Sequence, residues 1–351
     1  MKKIFVTGYN GFIGALLVKL LKEKGYDVTG LDTSYYGPDC EFFHENPDEG
    51  ITVIRKDMRQ LTASDLEGMD AVCHLAALSN DTLGKIDPEL TYDINYRASV
   101  ELARLSKKVG VSKFIYSSSC SLYGKAGDEA LTEEADFNPI TAYAKSKVMT
   151  EREILPMADS GFCVTSMRNA TAYGISPKLR MDLVVNDLVG WAIVTKQIKI
   201  LSDGTPWRPL VHAEDIARAF IAVIEAPVKN VSGEAFNVGQ DSENFQVKDI
   251  ARMVGEVIPG CEIVITGEHG SDSRSYRVDF GKIKRMLPEF KPRWTLREGI
   301  KEVYEAYKTY GMDNEKFMGR YFVRLRQIQF LMDSGKVNNE LYWNPSARGA
   351  L

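Results

Sequence analysis

The sequence predicts an α/β protein, with a doubly wound parallel sheet in its first half and a smaller mixed α/β lobe behind it. Three observations carry that expectation. Short apolar runs alternate with helical patterns over the first 170 residues. Those runs are apolar throughout, as strands buried on both faces are. After about residue 170 the regular alternation stops, and short strands mix with helices.

Ile4-Phe5-Val6 reads as the first buried strand. The helix from Gly11 to Lys24 follows, with Ile13, Leu16, Leu17, Leu20 and Leu21 at helical spacing and Gly25 closing it. Tyr26 to Leu31 is the second strand and ends at Asp32. Residues 33–50 are polar and carry Gly and Pro, which predicts an exposed loop. Ile51 to Arg55 and Ala71 to Leu75 are the next strands, with a short helix at Ala63 to Leu66 between them. Asp87 is placed to cap a long helix from Pro88 to Val109. Lys113 to Ser117 is a fifth strand, Ala142 to Asp159 a helix disturbed near Pro156, and Cys163 to Met167 a sixth strand.

The second half predicts helices at Met181 to Lys196, Ala213 to Glu225, Val247 to Ile258 and Thr295 to Tyr310. Its strands are Ile198 to Leu201, Ala235 to Val238 and Glu262 to Ile265. From Glu315 to Gly335, Met318, Phe322, Leu325, Ile328 and Met332 fall at helical spacing, with Arg320, Arg324 and Arg326 among them. This reads as a helix docked on the core. The expected organisation is a nucleotide-binding domain over 1–170, a lobe over 171–310 whose chain crosses back to the sheet, and a helical extension over 311–351.

Composition narrows the function. Lys plus Arg is 44 against 48 for Asp plus Glu, a net charge of -4. A mildly acidic chain lacks the basic face that nucleic-acid binding needs, so no nucleic-acid partner is expected. The cysteines Cys40, Cys73, Cys120, Cys163 and Cys261 form no C-x-x-C pair, and the four histidines are scattered. Neither a disulfide framework nor a metal site is expected. No signal-like region and no long apolar run is visible, so the expected protein is reduced, cytoplasmic and independent of membranes.

Gly8-Tyr9-Asn10-Gly11-Phe12-Ile13-Gly14 is a G-x-x-G-x-x-G loop between a strand and a helix. Glycines allow a tight turn and close approach of backbone to a diphosphate, and the helix N-terminus offers free N–H groups and a favourable dipole. Asp32 ends the next strand, where a carboxylate accepts from both ribose hydroxyls and repels a 2′-phosphate. Thr33-Ser34-Tyr35 follow it, with no arginine. The set predicts a Rossmann-type domain binding NAD in preference to NADP.

Tyr143 and Lys147 form Y-x-x-x-K on a predicted helix, so they share one face. An ammonium near a phenol favours phenolate, which lets Tyr143 act as a general base near neutral pH. Lys147 is also placed to hold the nicotinamide ribose. Ser119 stands at the end of the serine-rich fifth strand, where its hydroxyl can bond the reacting oxygen.

On these residues the chain resembles an extended short-chain dehydrogenase/reductase of the nucleotide-sugar epimerase/dehydratase group. Further matches are Lys56-Asp57-Met58, His74-Leu75-Ala76-Ala77, Asn95, Arg168 to Gly174, Asn186, the stretch from Trp207 to Ala217, and Asp272 to Arg274. They span roughly residues 1 to 310. The resemblance implies a homodimer and a nucleoside-diphosphate sugar substrate. It puts Asp57 and Met58 near the adenine and Leu75, Ala76 and Ala77 along the cofactor cleft, with Asn95 among the cofactor residues. It puts Asn186, Arg208 and Arg274 at the substrate diphosphate, a role that suits the bidentate guanidinium. Ser79 and Asn80, after the fourth strand, are placed to touch the sugar, and Arg180 to reach sugar or phosphate.

Two departures bear on the reaction. Dehydratases of the group carry Asp-Glu directly after the catalytic Ser or Thr, whereas this chain has Cys120-Ser121. Cys120 is a candidate substrate-side residue whose thiol could serve as an acid or base, against the favoured reading of a small packed side chain. Thr171 takes the position of the usual substrate-facing asparagine, and Asn169 stands two residues earlier. The expected activity is oxidation or reduction at C4 of the sugar, as a 4-epimerase or a 4-dehydrogenase/ketoreductase. The alternatives are a dehydratase with an atypical acid/base pair, a non-sugar carbonyl reductase, and a non-catalytic NAD-binding regulator.

Overall fold

The computed structural model describes residues 2–79, 87–267 and 274–350. Asn80 therefore lies outside the described residues. Seven strands form the central sheet: β1 (Lys3–Thr7), β2 (Asp27–Asp32), β3 (Thr52–Arg55), β4 (Ala71–His74), β5 (Lys113–Ser119), β6 (Cys163–Asn169) and β7 (Glu234–Val238). Their order is β7-β6-β5-β4-β1-β2-β3, and every neighbouring pair is parallel. The chain reverses direction across the sheet between β1 and β4, which opens a crevice at the carboxyl ends of those strands.

Successive β1 side chains feed opposite cores. Ile4 and Val6 join Leu17 and Leu21 of helix α1 (Phe12–Glu23) on one face. Phe5 joins Leu102 and Ala103 of α2 (Ala98–Lys108) on the other. That double burial is why the strands read as continuous apolar runs. Helix α5 (Ala213–Glu225) packs beside α1 through Ile216 and Phe220, and the chain then enters β7. Residues 213–238 thus return to the sheet from beyond the change of pattern at 170.

The lobe holds a third core, in which Leu188 and Val189 of α4 (Val184–Thr195) meet Ile300 and Val303 of α6 (Leu296–Thr309). Among the described residues no helix is long and apolar enough to cross a membrane.

Two helices differ from expectation. The helix from Pro88 to Lys108 carries a π turn over Asp93–Arg97. The extension does not form one helix but splits into Asn314–Met318 and α7 (Arg324–Asp333). Gly319 is extended at the break, and a Cβ there would stand 2.4 Å from the Glu315 carbonyl oxygen. Phe317 packs in the lobe core, while Ile328 and Leu331 of α7 pack on the sheet face with Phe5. Five strands among the described residues, Lys125–Leu131, Thr171–Tyr173, Trp207–His212, Asn244–Gln246 and Ser275–Val278, go beyond the sequence reading.

Candidate active site

A cleft of about 690 Å³ runs along the carboxyl ends of the strands and under the lobe. Its floor is the glycine loop. Gly8 has φ +70, and a Cβ on it would stand 2.9 Å from the Ala76 nitrogen. A Cβ on Gly14 would stand 2.0 Å from the Gly8 carbonyl oxygen. Only glycine permits both approaches. Gly8, Gly11, Phe12, Ile13 and Gly14 line the cleft, and no side chain caps α1 at Gly11. The N–H groups of its first turn are left for an anion.

Asp32 lines the next part of the cleft and accepts from the backbone N–H of Ser34 at 2.8 Å. Burial raises its pKa, and the backbone N–H groups of Ser34 and Asn10 pull it back down. Asn10 therefore acts through its backbone, and its buried Oδ1 has no partner. Asp57 and Met58 also line the cleft, with the Asp57 carboxylate held by Arg59 at 2.8 Å. Leu75, Ala76, Ala77 and Ser79 line the opposite wall.

Ser119, Tyr143 and Lys147 meet at the far end of the same cleft. β5 ends at Ser119, and helix α3 (Ala142–Ile154) carries the other two. Lys147 donates to the Ser117 carbonyl at 2.7 Å, and its ammonium lies 5.5 Å from the centre of the Tyr143 ring. Burial lowers its pKa to about 7, against the upward pull of the Glu151 carboxylate. Beneath them, Arg168 and Glu151 form a buried ion pair at 2.8 Å, which fixes α3 to β6.

Asn169, Thr171, Arg180, Arg208 and Arg274 line the lobe side of the cleft. Asn169 donates to Ser117 Oγ at 3.0 Å. Arg180 pairs with Asp182 at 2.9 Å and donates to Ser79 Oγ at 3.2 Å. Arg208 donates to the Trp207 carbonyl at 2.9 Å and to the Arg274 carbonyl.

Besides Asn10, which does not line the cleft, three expected site residues turn away from it. Cys120 is fully buried and its thiol points at the Arg168 carbonyl, 3.1 Å away. Burial pushes that thiol far above its usual range. Ser121, its neighbour, lines the cleft instead. Asn95 is buried and bonds both backbone groups of Leu78, its Oδ1 accepting at 2.8 Å and its Nδ2 donating at 3.0 Å. It shapes the loop that lines the cleft and does not face it. Asn186 is wholly buried, bonding Gly174 and the Arg180 carbonyl, and so braces the Arg180 segment.

The structure adds residues that the sequence reading missed. Tyr36, Asp187 and Arg324 line the cleft. Burial and the neighbouring Asp182 raise the pKa of Asp187 to about 7. Arg324 had a visible signal, a basic residue inside the helical pattern of the extension, but nothing in the sequence says which wall that helix meets.

The residues fit a dinucleotide. Ser118 Oγ, Ser121 Oγ and Asn169 Oδ1 all line the cleft, are buried, and have no hydrogen-bond partner. Buried polar atoms left unbonded carry a real cost, which a polar ligand removes. The glycine cradle, the half-buried Asp32 and the residues that carry these atoms line one trough.

The model of the NAD dependent epimerase/dehydratase family matches residues 4–239. A UDP-glucose 4-epimerase of Mycolicibacterium smegmatis is 28% identical over 318 residues, covering 87% of this chain and 98% of the relative. UDP-glucuronic acid decarboxylase 1 of Arabidopsis thaliana is 26% identical, covering 90% of this chain and 72% of the relative. Among solved structures, MoeE5 in complex with UDP-glucuronic acid and NAD superposes with a TM-score of 0.75 at 28% identity, covering 88% of this chain and 99% of MoeE5.

Proposed function

The chain belongs to the NAD dependent epimerase/dehydratase family, enzymes whose cofactor is NAD, and from that premise we propose that it acts at C4 of a nucleoside-diphosphate sugar, most simply as a 4-epimerase. The observation that carries the reading is the meeting of Ser119, Tyr143 and Lys147 in one cleft with the glycine loop, and no carboxylate at the two positions after Ser119.

NAD, when bound, supplies the hydride acceptor and donor. Tyr143 takes the proton of the C4 hydroxyl through its phenolic oxygen. Lys147 stabilises the phenolate by its charge, and the Ser117 carbonyl fixes the ammonium in place. Ser119 donates to the reacting oxygen and holds it as the carbon becomes planar. Asp57, Met58, Leu75, Ala76 and Ala77 enclose the cofactor. Arg208 and Arg274 hold the substrate diphosphate as positive donors. Ser79, Asn169, Thr171 and Arg180 face the sugar. Turning the 4-keto sugar before the hydride returns to C4 and Tyr143 returns the proton to oxygen gives the 4-epimer; releasing it with the hydride left on the cofactor makes the same site a 4-dehydrogenase.

Elimination needs a group to protonate the departing hydroxyl. Cys120 faces the Arg168 carbonyl and Ser121 is a poor acid, which supports the epimerase reading over dehydration. Similarity to several UDP-glucose 4-epimerases supports it too. The test is incubation of the purified chain with UDP-glucose, UDP-galactose and the UDP-hexuronic acids, followed by proton NMR. A 4-epimer is expected. A 4-keto-6-deoxy sugar or a pentose product would overturn the reading.

A further inference from the structure

We propose that Arg324, from the C-terminal extension, is a cofactor-binding residue whose guanidinium closes on the diphosphate of NAD from the side opposite the glycine loop, with Arg180 beside it. The inference rests on the cleft being the NAD site, and on nothing about the sugar or the reaction.

Arg324 is 3% exposed, yet it lines the cleft. Its Nη2 donates to the Lys178 carbonyl at 2.9 Å, and its guanidinium carbon stands 3.8 Å from the centre of the Tyr36 ring. Its Nη1 is buried and has no hydrogen-bond partner, and no carboxylate among the described residues pairs with it. A buried cation with no ion-pair partner is costly; the neighbouring Arg180 adds to that cost and the more distant Asp182 charge offsets part of it. A cleft that holds such a group is built to receive negative charge.

Position selects the ligand group. Tyr36, under the guanidinium, follows Asp32 by four residues, and the charge of Arg324 reaches the Asp32 carboxylate. Arg180, near enough to repel it, donates to Ser79 Oγ and lines the cleft with Tyr143. Arg324 therefore lines the cleft against Tyr36, in the segment that follows the ribose acid, and beside Arg180, which reaches the Ser79 wall. The diphosphate is the part of a dinucleotide that follows the adenosine ribose. The N-terminus of α1 would take it from below and Arg324 from above.

The rest of the extension holds the loop after Asp32 in place. Gln327 donates to the Tyr35 carbonyl at 2.9 Å, and the Tyr35 hydroxyl donates to the Leu341 carbonyl. Trp343 Nε1 donates to the Thr33 carbonyl at 2.6 Å. Arg59, which holds Asp57, also donates to the Glu340 carbonyl at 2.8 Å and stacks on the Tyr342 ring at 3.9 Å. Residues 324–343 thus brace the loop after Asp32 and the Asp57–Arg59 pair.

The experiment uses the full chain, stripped of nucleotide, as parent, Arg324→Met and Arg324→Lys. Calorimetry measures the affinities of NAD, ADP-ribose and adenosine, and stopped-flow dilution measures the rate of NAD release. Arg324→Met is expected to weaken NAD and ADP-ribose at least tenfold and speed release of NAD, while adenosine binding stays within twofold. Arg324→Lys keeps the charge but loses the planar fork, and falls between. Equal weakening of adenosine would mean that the variant has only lost the shape of the pocket, and would overturn the proposal. Unchanged NAD and ADP-ribose binding with a raised KM for nucleotide sugar would assign Arg324 to the other ligand, and would overturn it as well. None of these ligands carries the sugar substrate, so failure of the epimerase reading leaves the result untouched.

Discussion

The Lys147 ammonium nitrogen lies 5.5 Å from the centre of the Tyr143 ring, with both residues on one face of α3. At that distance a cation biases the phenol toward phenolate without bonding to it directly. Replacing Tyr143 with Phe removes the proton acceptor and little else. Turnover is expected to fall by about 10²–10⁴-fold, with the bound NAD content and melting temperature nearly unchanged. Assays of kcat alongside nucleotide content check this. Full turnover in the variant would remove Tyr143 from the chemistry.

Lys147 also sets a pH dependence of stability. Burial lowers its pKa to about 7 in the folded chain, while the unfolded chain keeps the proton to about 10.4. Between those values the unfolded state holds more protons, so this residue makes stability rise with pH. Lys147→Met lacks that contribution. Urea denaturation at pH 6.5 and 9.5 should show the parent gaining roughly 2–3 kcal/mol relative to the variant over that window. A difference that does not change with pH would mean the ammonium is solvated in the native cleft.

Cys120 should be silent in the chemistry. Its thiol is fully buried and held protonated by that burial. Cys120→Ser is expected to keep the same product and a kcat within about threefold, at a stability cost of about 1 kcal/mol. Iodoacetamide should leave this cysteine unmodified in the folded chain, as peptide mass analysis would read. Rapid alkylation with loss of activity would place the thiol in the cleft.

Asn95 acts through the Leu78 backbone. Asn95→Ala leaves a buried N–H and a buried carbonyl unbonded, which costs about 2–4 kcal/mol. Because Leu78 lines the cleft, the same change should raise KM for cofactor and substrate together by several-fold. Calorimetric melting and steady-state kinetics measure the two effects. Normal melting with a selective loss of NAD affinity would instead make Asn95 a direct contact.

The sheet, the glycine loop and the Ser119, Tyr143, Lys147 cluster were legible because each rests on local pattern. Apolar runs mark doubly buried strands, glycines mark a turn, and i, i+4 spacing marks a helix face. Cys120, Asn95 and Asn186 were misplaced because motif position does not say which way a side chain turns. At Cys120 a one-residue difference selects the core over the cleft, and the equally buried Ser121 lines the cleft instead. The helix break at Gly319 was hidden by a helical period that runs through it. Arg324 was hidden for a tertiary reason, since only the docking of Ile328 and Leu331 on the sheet face turns it toward the cleft.

The last strand of the sheet comes from residues 234–238, delivered by a helix that packs on α1 some two hundred residues earlier in the chain. During synthesis the glycine loop leaves the ribosome early, yet the face beneath it stays bare until α5 has emerged. Until β7 follows, β6 has one unpaired edge, open to pairing with other chains. A fragment cut at the apparent boundary near residue 170 would inherit both defects, so expression of the first half alone should yield aggregates where a cut after β7 has a complete sheet to close.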